Sequence, residues 1–314
     1  MLDIYTIYQA FEKGEENPLE PLKIQYKDYA YWHNNILASN ASEKYKIYWR
    51  NMLVEPIPII NLPTDYQRPR IKNSLGRSIK ISFDKEIKSN LIDLGNKNDA
   101  SLFMVLMSSF YSLMYHYTGQ EDFIIGTPIA GREHIDLQGQ VGFYLNVLPL
   151  RVKMSGTDTF SSLLEKVKET TVGAYEHQIY PFDEMVEEFV PHRDMSRSPL
   201  FDVMVQLINV SDEFTEAKEF GGVQIEAYSK ESVQSKYDIV ANFYEEEETL
   251  SAIFEYSIDL FKHETILRMV ERYKLLIQSI LKDDQQQIAM LEIHKKRNSF
   301  KINPVSRVAT KNRL

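Results

Sequence analysis

Residues 100–120, ASLFMVLMSSFYSLMYHYTGQ, run for 21 positions without a Lys, Arg, Asp or Glu. A stretch of this length is enough to cross a bilayer as a helix. It also holds five Ser/Thr, His116 and Gln120, and acids rather than basic anchors flank it directly, at Asp99 and Glu121. It therefore reads as a helix enclosed on all sides by its own domain, with no membrane span. Enclosing it takes a large core, and the composition supplies one: 43% hydrophobic residues, with 19 Tyr and 16 Phe in a chain of 314.

The elements around this helix are legible from periodicity and punctuation. Tyr26–Arg50 is aromatic at helical spacings and is broken near Asn40. EPIPIINLPTDYQRPR then places four prolines between Pro56 and Pro69, which predicts an extended connector and the clearest boundary in the chain. Ser78–Phe83 reads as a strand. Asp84 is a candidate cap for a helix through about Lys97, with Ile87, Leu91 and Leu94 on one face. Phe123–Gly126 reads as a short strand, and Val141–Val152 as a strand ended or kinked at Pro149. A helix follows from Phe160 toward Tyr175. Phe201–Ile208 and Val223–Ser229 are further strand candidates. Tyr237–Ser257 is a hairpin around the acidic turn Glu245–Glu248, which is a solvated turn rather than a metal site. A last helix over about Glu264–Leu281 has the stripe Ile266, Leu267, Val270, Tyr273, Leu276, Ile277 and Ile280. Helices alternating with strands, and an antiparallel pair at the end, predict an α/β or α+β sandwich on a mixed sheet.

Several chemistries are excluded or weak. There is no cysteine, so disulfides, zinc–thiolate sites and a thiol nucleophile are ruled out. No basic n-region or cleavage site marks a secretory leader, and the expected location is cytoplasmic. The net charge of -9 argues against nucleic acid as a partner. Lys295–Leu314 carries seven Lys/Arg and no acid, which leaves a net of -16 on residues 1–294, so this end reads as a basic tail or linker. GTPIAGRE (Gly126–Glu133) lacks a phosphate-loop pattern; it reads as a loop in which Pro128 fixes φ and Gly131 permits an unusual turn. None of the seven histidines has metal-ligand spacing, the lone His134-x-Asp136 included, and no serine sits in a nucleophile elbow. No metal is expected.

HQIYPFDEMVEEF (His177–Phe189) sets a histidine beside Asp183 and Glu184. Pro181 suits the first turn of a helix, the two carboxylates suit its N-terminal dipole, and His177 suits the end of the helix before. This structural reading accounts for all three residues, and an acid/base role is the alternative.

Taken in order, these segments resemble one family, the condensation domains of nonribosomal peptide synthetases. YKDYAYWH (Tyr26–His33) resembles its Y-x-D-[FY]-A-x-W-[QH] motif, and VGFYLNVLPLR (Val141–Arg151) its [IV]-G-x-F-x-N-x-x-x-x-R motif. HQIYPFDE resembles [HN]-Q-x-x-P-F-[DE], and RDMSRSPLF (Arg193–Phe201) resembles R-D-x-S-R-[NS]-P-L-F. LPTDYQRP, GTPIAGR and the final YDI…FEYSIDLFKHETILRM add further matches, and together they span the chain to about Leu281.

The resemblance implies two chloramphenicol-acetyltransferase-like subdomains in a V, with a tunnel between them. It implies amide formation between aminoacyl or peptidyl thioesters held on carrier proteins. No cofactor is bound directly; phosphopantetheine comes on the partner carriers, and neighbouring synthetase domains are the other partners. The family's essential histidine lies in an H-H-x-x-x-D-G motif, and no such motif occurs in these 314 residues. The expectation is a truncated domain: 1–60 the end of the N-terminal subdomain and the crossover, 61–294 the C-terminal subdomain, 295–314 the tail. Such a piece carries no catalytic residue and is expected to be inactive alone and to self-associate through its exposed face. Carried over by motif, Arg132 is the partner of the missing aspartate, and is left solvated or re-paired. Gly142, Asn146, His177, Gln178, Pro181 and Phe182 are tunnel or motif residues. Arg193, Asp194, Ser196 and Arg197 form a polar network under the strand from Leu200. The alternatives are a non-catalytic docking module, or an acyltransferase of the same fold that uses His134 or His177.

Overall fold

The computed structural model describes residues 2–190, 192–209, 219–220, 223–224 and 233–294. Three helices lead: α1 (Leu2–Glu12), α2 (Tyr26–Ala38) and α3 (Glu43–Met52). The proline-rich connector follows. Then come β1 (Leu75–Phe83), α4 (Lys85–Lys97), α5 (Leu102–Thr118), β2 (Asp122–Ile129), β3 (Asn146–Lys153), α6 (Phe160–Glu176), α7 (Phe182–Phe189) and β4 (Val203–Asn209). The small pair β5 (Glu219–Phe220) and β6 (Val223–Gln224) precedes β7 (Val233–Gln234), β8 (Ile239–Glu245), β9 (Leu250–Ser257) and α8 (His263–Lys282). Seven strands form one sheet in the order β3-β2-β4-β8-β9-β1-β7, parallel at β2/β4 and β4/β8 and antiparallel elsewhere. The mixed sheet flanked by helices is the architecture the sequence predicts.

The uncharged stretch becomes α5, packed against α4, α6 and α8, with every residue from Met104 to Met114 buried. The hydroxyls of its buried serines and of Tyr111 are satisfied inside the core, as burial demands. Ser108 Oγ donates to Met104 O at 2.7 Å, Ser112 Oγ to Ser108 O at 3.0 Å, and Ser109 Oγ pairs with Tyr273 Oη at 2.8 Å. Tyr111 Oη donates to Leu150 O at 2.6 Å, tying the helix to β3. Ser101 caps the start, and Gly119 at φ +66 ends the helix in a left-handed turn. No helix among the described residues is long and apolar enough to cross a membrane.

Several expected elements shift. The strand expected from Val141 begins only at Asn146, because its partner ends there: Ile129 pairs with Asn146, and beyond it the chain turns at Gly131, φ +64. The apolar run before Asn146 is left outside the sheet, with Val141 93% and Phe143 75% exposed. Pro149 neither ends nor kinks the strand; β3 runs through it to Lys153, tolerated because β3 is an edge strand. Pro128 likewise sits inside β2 rather than in a loop, and on that side β2 meets β4 only at Gly126–Met204. Leu267 falls outside the α8 stripe, 41% exposed. Pro181 precedes α7 as its N-cap instead of occupying its first turn. Of the strand expected at Val223–Ser229, residues 225–229 lie outside the described residues, as does the basic tail 295–314.

Of the helices before the connector, α3 enters the main core. Its Trp49, Leu53 just past its end and Ile60 of the connector belong to the same buried cluster as Ile81, Val105 and Phe254. Trp49 Nε1 also donates to His177 O at 3.1 Å. α2 differs: none of its residues is buried, and its Tyr26, Tyr29, Trp32 and His33 side chains line one cleft.

Candidate functional site

A cleft of about 450 Å³ opens between α2 and the segments 131–147 and 178–183. Four sequence-distant segments supply its walls: YKDYAYWH, the loop after β2, the run into β3, and the α6–α7 junction. Tyr26, Tyr29 and His33 recur at helical spacing on α2; the two tyrosines face Tyr144 and His33 stacks on Tyr29. The Tyr29 and Tyr144 rings lie 4.7 Å apart, and Tyr26 meets Tyr144 edge-on at 5.2 Å. Tyr26 Oη donates to Phe143 O at 3.1 Å, and His33 Nε2 lies 2.8 Å from Ile179 O, so α2 is pinned to both opposing segments. Burial pushes the Tyr29 hydroxyl pKa up, with Tyr26, Tyr144 and Glu133 adding to the shift.

Asn146 is the junction of the cleft. Its Oδ1 accepts the N–H of Phe182 at 2.9 Å, while its Nδ2 donates to Gln178 O at 2.8 Å and Tyr180 O at 2.9 Å. One amide thus fixes where β3 starts and where α7 starts. Gln178 Nε2 donates to Glu133, joining the same junction to the loop after β2. At Gly142 the backbone comes close to two rings: a Cβ there would lie 2.5 Å from the Tyr26 ring and 2.8 Å from that of Tyr144. Arg132 is re-paired. It donates to Gln140 O at 2.8 Å and to Leu137 O, and its guanidinium lies 4.2 Å from the Tyr144 ring centroid.

The structure divides the residues that the motifs grouped together. Asn146, Gln178, Pro181 and Phe182 line the cleft, and Gly142 and Arg132 brace its wall. His177 does not line it. It caps the end of α6, its Nδ1 is 2.7 Å from Gly173 O, and its ring stacks on Tyr48 at 4.0 Å and 6°. His134 does line the cleft, beside Asp136 at 3.6 Å.

The RDMSRSPLF residues lie elsewhere, under the starts of β4 and β8. Arg197 Nη1 donates to Asp202 Oδ2 at 2.5 Å and to Ile60 O at 3.3 Å, and Asp194 Oδ1 accepts the Ser196 N–H at 2.9 Å. Arg68 of the connector bonds Ser196 O at 3.2 Å and fully buried Asp238 at 3.1 Å, and Lys72 lies 3.5 Å from Asp238. Burial, reinforced by Asp238, pushes the Asp202 carboxyl pKa up. Arg193, expected in this network, makes no hydrogen bond or ion pair among the described residues. Sequence reasoning also missed Arg68, Lys72, Asp202 and Asp238 as members. LPTDYQRP flagged their neighbourhood, but no spacing links position 68 to 238.

The family model for the condensation domain matches residues 1–302. The chain belongs to the condensation-domain family. As a condensation-domain chain it is 37% identical over 287 residues to gramicidin S synthase 2 of Brevibacillus brevis, covering 91% of this chain and 6% of that protein. It is 34% identical over 275 residues to tyrocidine synthase 3 of Brevibacillus parabrevis, covering 88% of this chain and 4% of that one. Among solved structures, the X-domain from teicoplanin biosynthesis in complex with OxyB superposes with a TM-score of 0.85 at 22% identity, over 94% of this chain and 66% of that one. The first condensation domain of the calcium-dependent antibiotic synthetase gives 0.72 at 17%, over 92% and 62%. The fold is thus the chloramphenicol-acetyltransferase-like fold of condensation domains. The chain spans about two thirds of those structures and a small fraction of the synthetases.

Proposed function

We propose that this chain is the part of an amide-forming condensation domain that shapes one wall of the reaction tunnel, within a nonribosomal peptide synthetase of the gramicidin type. The observation that carries this reading is the convergence of four family motifs on the one aromatic cleft between α2 and Asn146. The cleft holds and orients carrier-tethered thioesters, which is the positioning that such a reaction requires. Phosphopantetheine arrives on the carrier proteins; carrier and neighbouring synthetase domains are the partners, and the setting is cytoplasmic. With no H-H-x-x-x-D-G among its residues, the chain alone forms no amide. Exposed Val141, Phe143 and Trp32 around the cleft favour self-association of the isolated chain. The test is incubation with a loaded donor and acceptor carrier pair, alongside titration with each phosphopantetheinylated carrier. Saturable carrier binding without product is expected. Peptide formed by the chain alone overturns the inactive reading, and absence of binding at high micromolar concentration overturns the carrier role.

The docking reading has one specific support. The X-domain that this fold matches at a TM-score of 0.85 was solved in complex with OxyB. A chain that binds a neighbouring protein but neither carrier would favour it. The acyltransferase reading would require His134 or His177; a measured transferase activity left intact by alanine at each of the two positions removes it.

A further inference from the structure

A second cavity, of about 380 Å³, opens between the strap 57–60 and the stretch 189–202. It shares no lining residue with the cleft. Ile57, Ile60, Ile124, Phe189 and Phe201 make its walls apolar. The strap is held in place rather than loosely draped: Gln120 bonds Asn61 N at 2.7 Å and Ile59 O at 2.9 Å, and Arg197 reaches Ile60 O.

Two observations point to a ligand here. Leu200, on the cavity wall, is buried at 7% exposure yet held at φ +66. A bulky residue in the left-handed region is strained, and such strain collects at binding sites. Arg193 stands exposed at the mouth with no hydrogen bond or ion pair among the described residues, whereas Arg68 and Arg197 are committed to Asp238 and Asp202. The charged side chains lining the cavity are Arg193, Arg197, Asp194 and Asp202, and with Arg197 on Asp202 and Asp194 holding the Ser196 N–H, Arg193 is the one left to meet an anion. The volume lies at the low end of ligand pockets, which run about 300–1,000 Å³, and suits a short acyl or aryl group.

We propose that this cavity binds a small amphipathic carboxylate, with its apolar body between the 57–60 strap and Phe201 and its head on Arg193. A guanidinium offers two parallel donors to a carboxylate, a fit an alcohol of the same length lacks. Calorimetric titration with sodium octanoate and with 1-octanol tests this. Saturable octanoate binding is expected, with a Kd near or below about 1 mM. Arg193→Gln should weaken octanoate about tenfold and leave octanol unchanged. Ile57→Trp, which fills the cavity, should remove both. The proposal is overturned if octanoate does not saturate by about 10 mM, or if Arg193→Gln binds it as tightly as the parent. Arg193 is on the surface, with no hydrogen bond or ion pair among the described residues, so that arm stands even where Ile57→Trp fails to fold.

Discussion

Asn146 Oδ1 accepts the main-chain N–H of Phe182 at 2.9 Å, across 36 residues of chain, while the amino group of the same side chain holds the carbonyls of Gln178 and Tyr180. Its Oδ1 also accepts the Val147 N–H at 2.9 Å, so replacing it with Ala removes the side-chain partner of four partly buried main-chain groups at once. Asn146→Ala should lower stability by about 2–4 kcal/mol and loosen the α6–α7 junction. Urea unfolding with intact chain mass measures it, and a change within error would mean the junction is held by packing alone.

His177 fixes the end of α6 through Gly173 O and its stack on Tyr48. His177→Ala should cost about 1–2 kcal/mol by losing one hydrogen bond and one ring contact. Carrier affinity, read in the same preparation, should stay within twofold, roughly the scatter of such measurements. A large loss of binding with unchanged stability would move His177 into the site.

Asp238 is fully buried between Arg68 and Lys72. Asp238→Ala leaves two partly buried cations without their carboxylate, and breaking such a set costs about 3–5 kcal/mol. The melting temperature should fall steeply. Removing Arg68 as well should recover part of the loss, because fewer charges then lie uncompensated.

Burial lowers the pKa of His116 below its ordinary value of 6.5, with the Ile288 main chain opposing the shift and His294 adding to it, and its Nε2 has no hydrogen-bond partner. The folded state therefore binds this proton more weakly than the unfolded chain. Its contribution is fully present above pH 6.5 and is lost as pH falls below it toward the folded pKa. Urea midpoints at pH 8 and about pH 5.5 should differ less for His116→Gln than for the parent. An equal slope in both would assign the acid sensitivity to other groups.

Local order was legible in the sequence. Asp84 caps α4 through the Ile87 N–H at 2.9 Å, the acidic turn sits between β8 and β9, and the α8 stripe is buried except at Leu267. These depend on capping, turn chemistry and a period of 3.6, all confined to a few neighbouring residues. The start of β3 was not legible, because it depends on where β2 stops rather than on the apolar run from Val141.

By itself the sequence determined the buried helix, the alternation of elements and the family, since uncharged length, periodicity and ordered motifs are properties of the chain in one dimension. Only the tertiary structure decided which motif residues share a cleft. It brought Tyr29 against Tyr144 and Asn146 against Phe182, turned His177 onto Tyr48, and set Arg193 apart at a different cavity. Those contacts join residues distant in sequence, and the packing of α2 and the sheet around one core selects them; no local spacing encodes them.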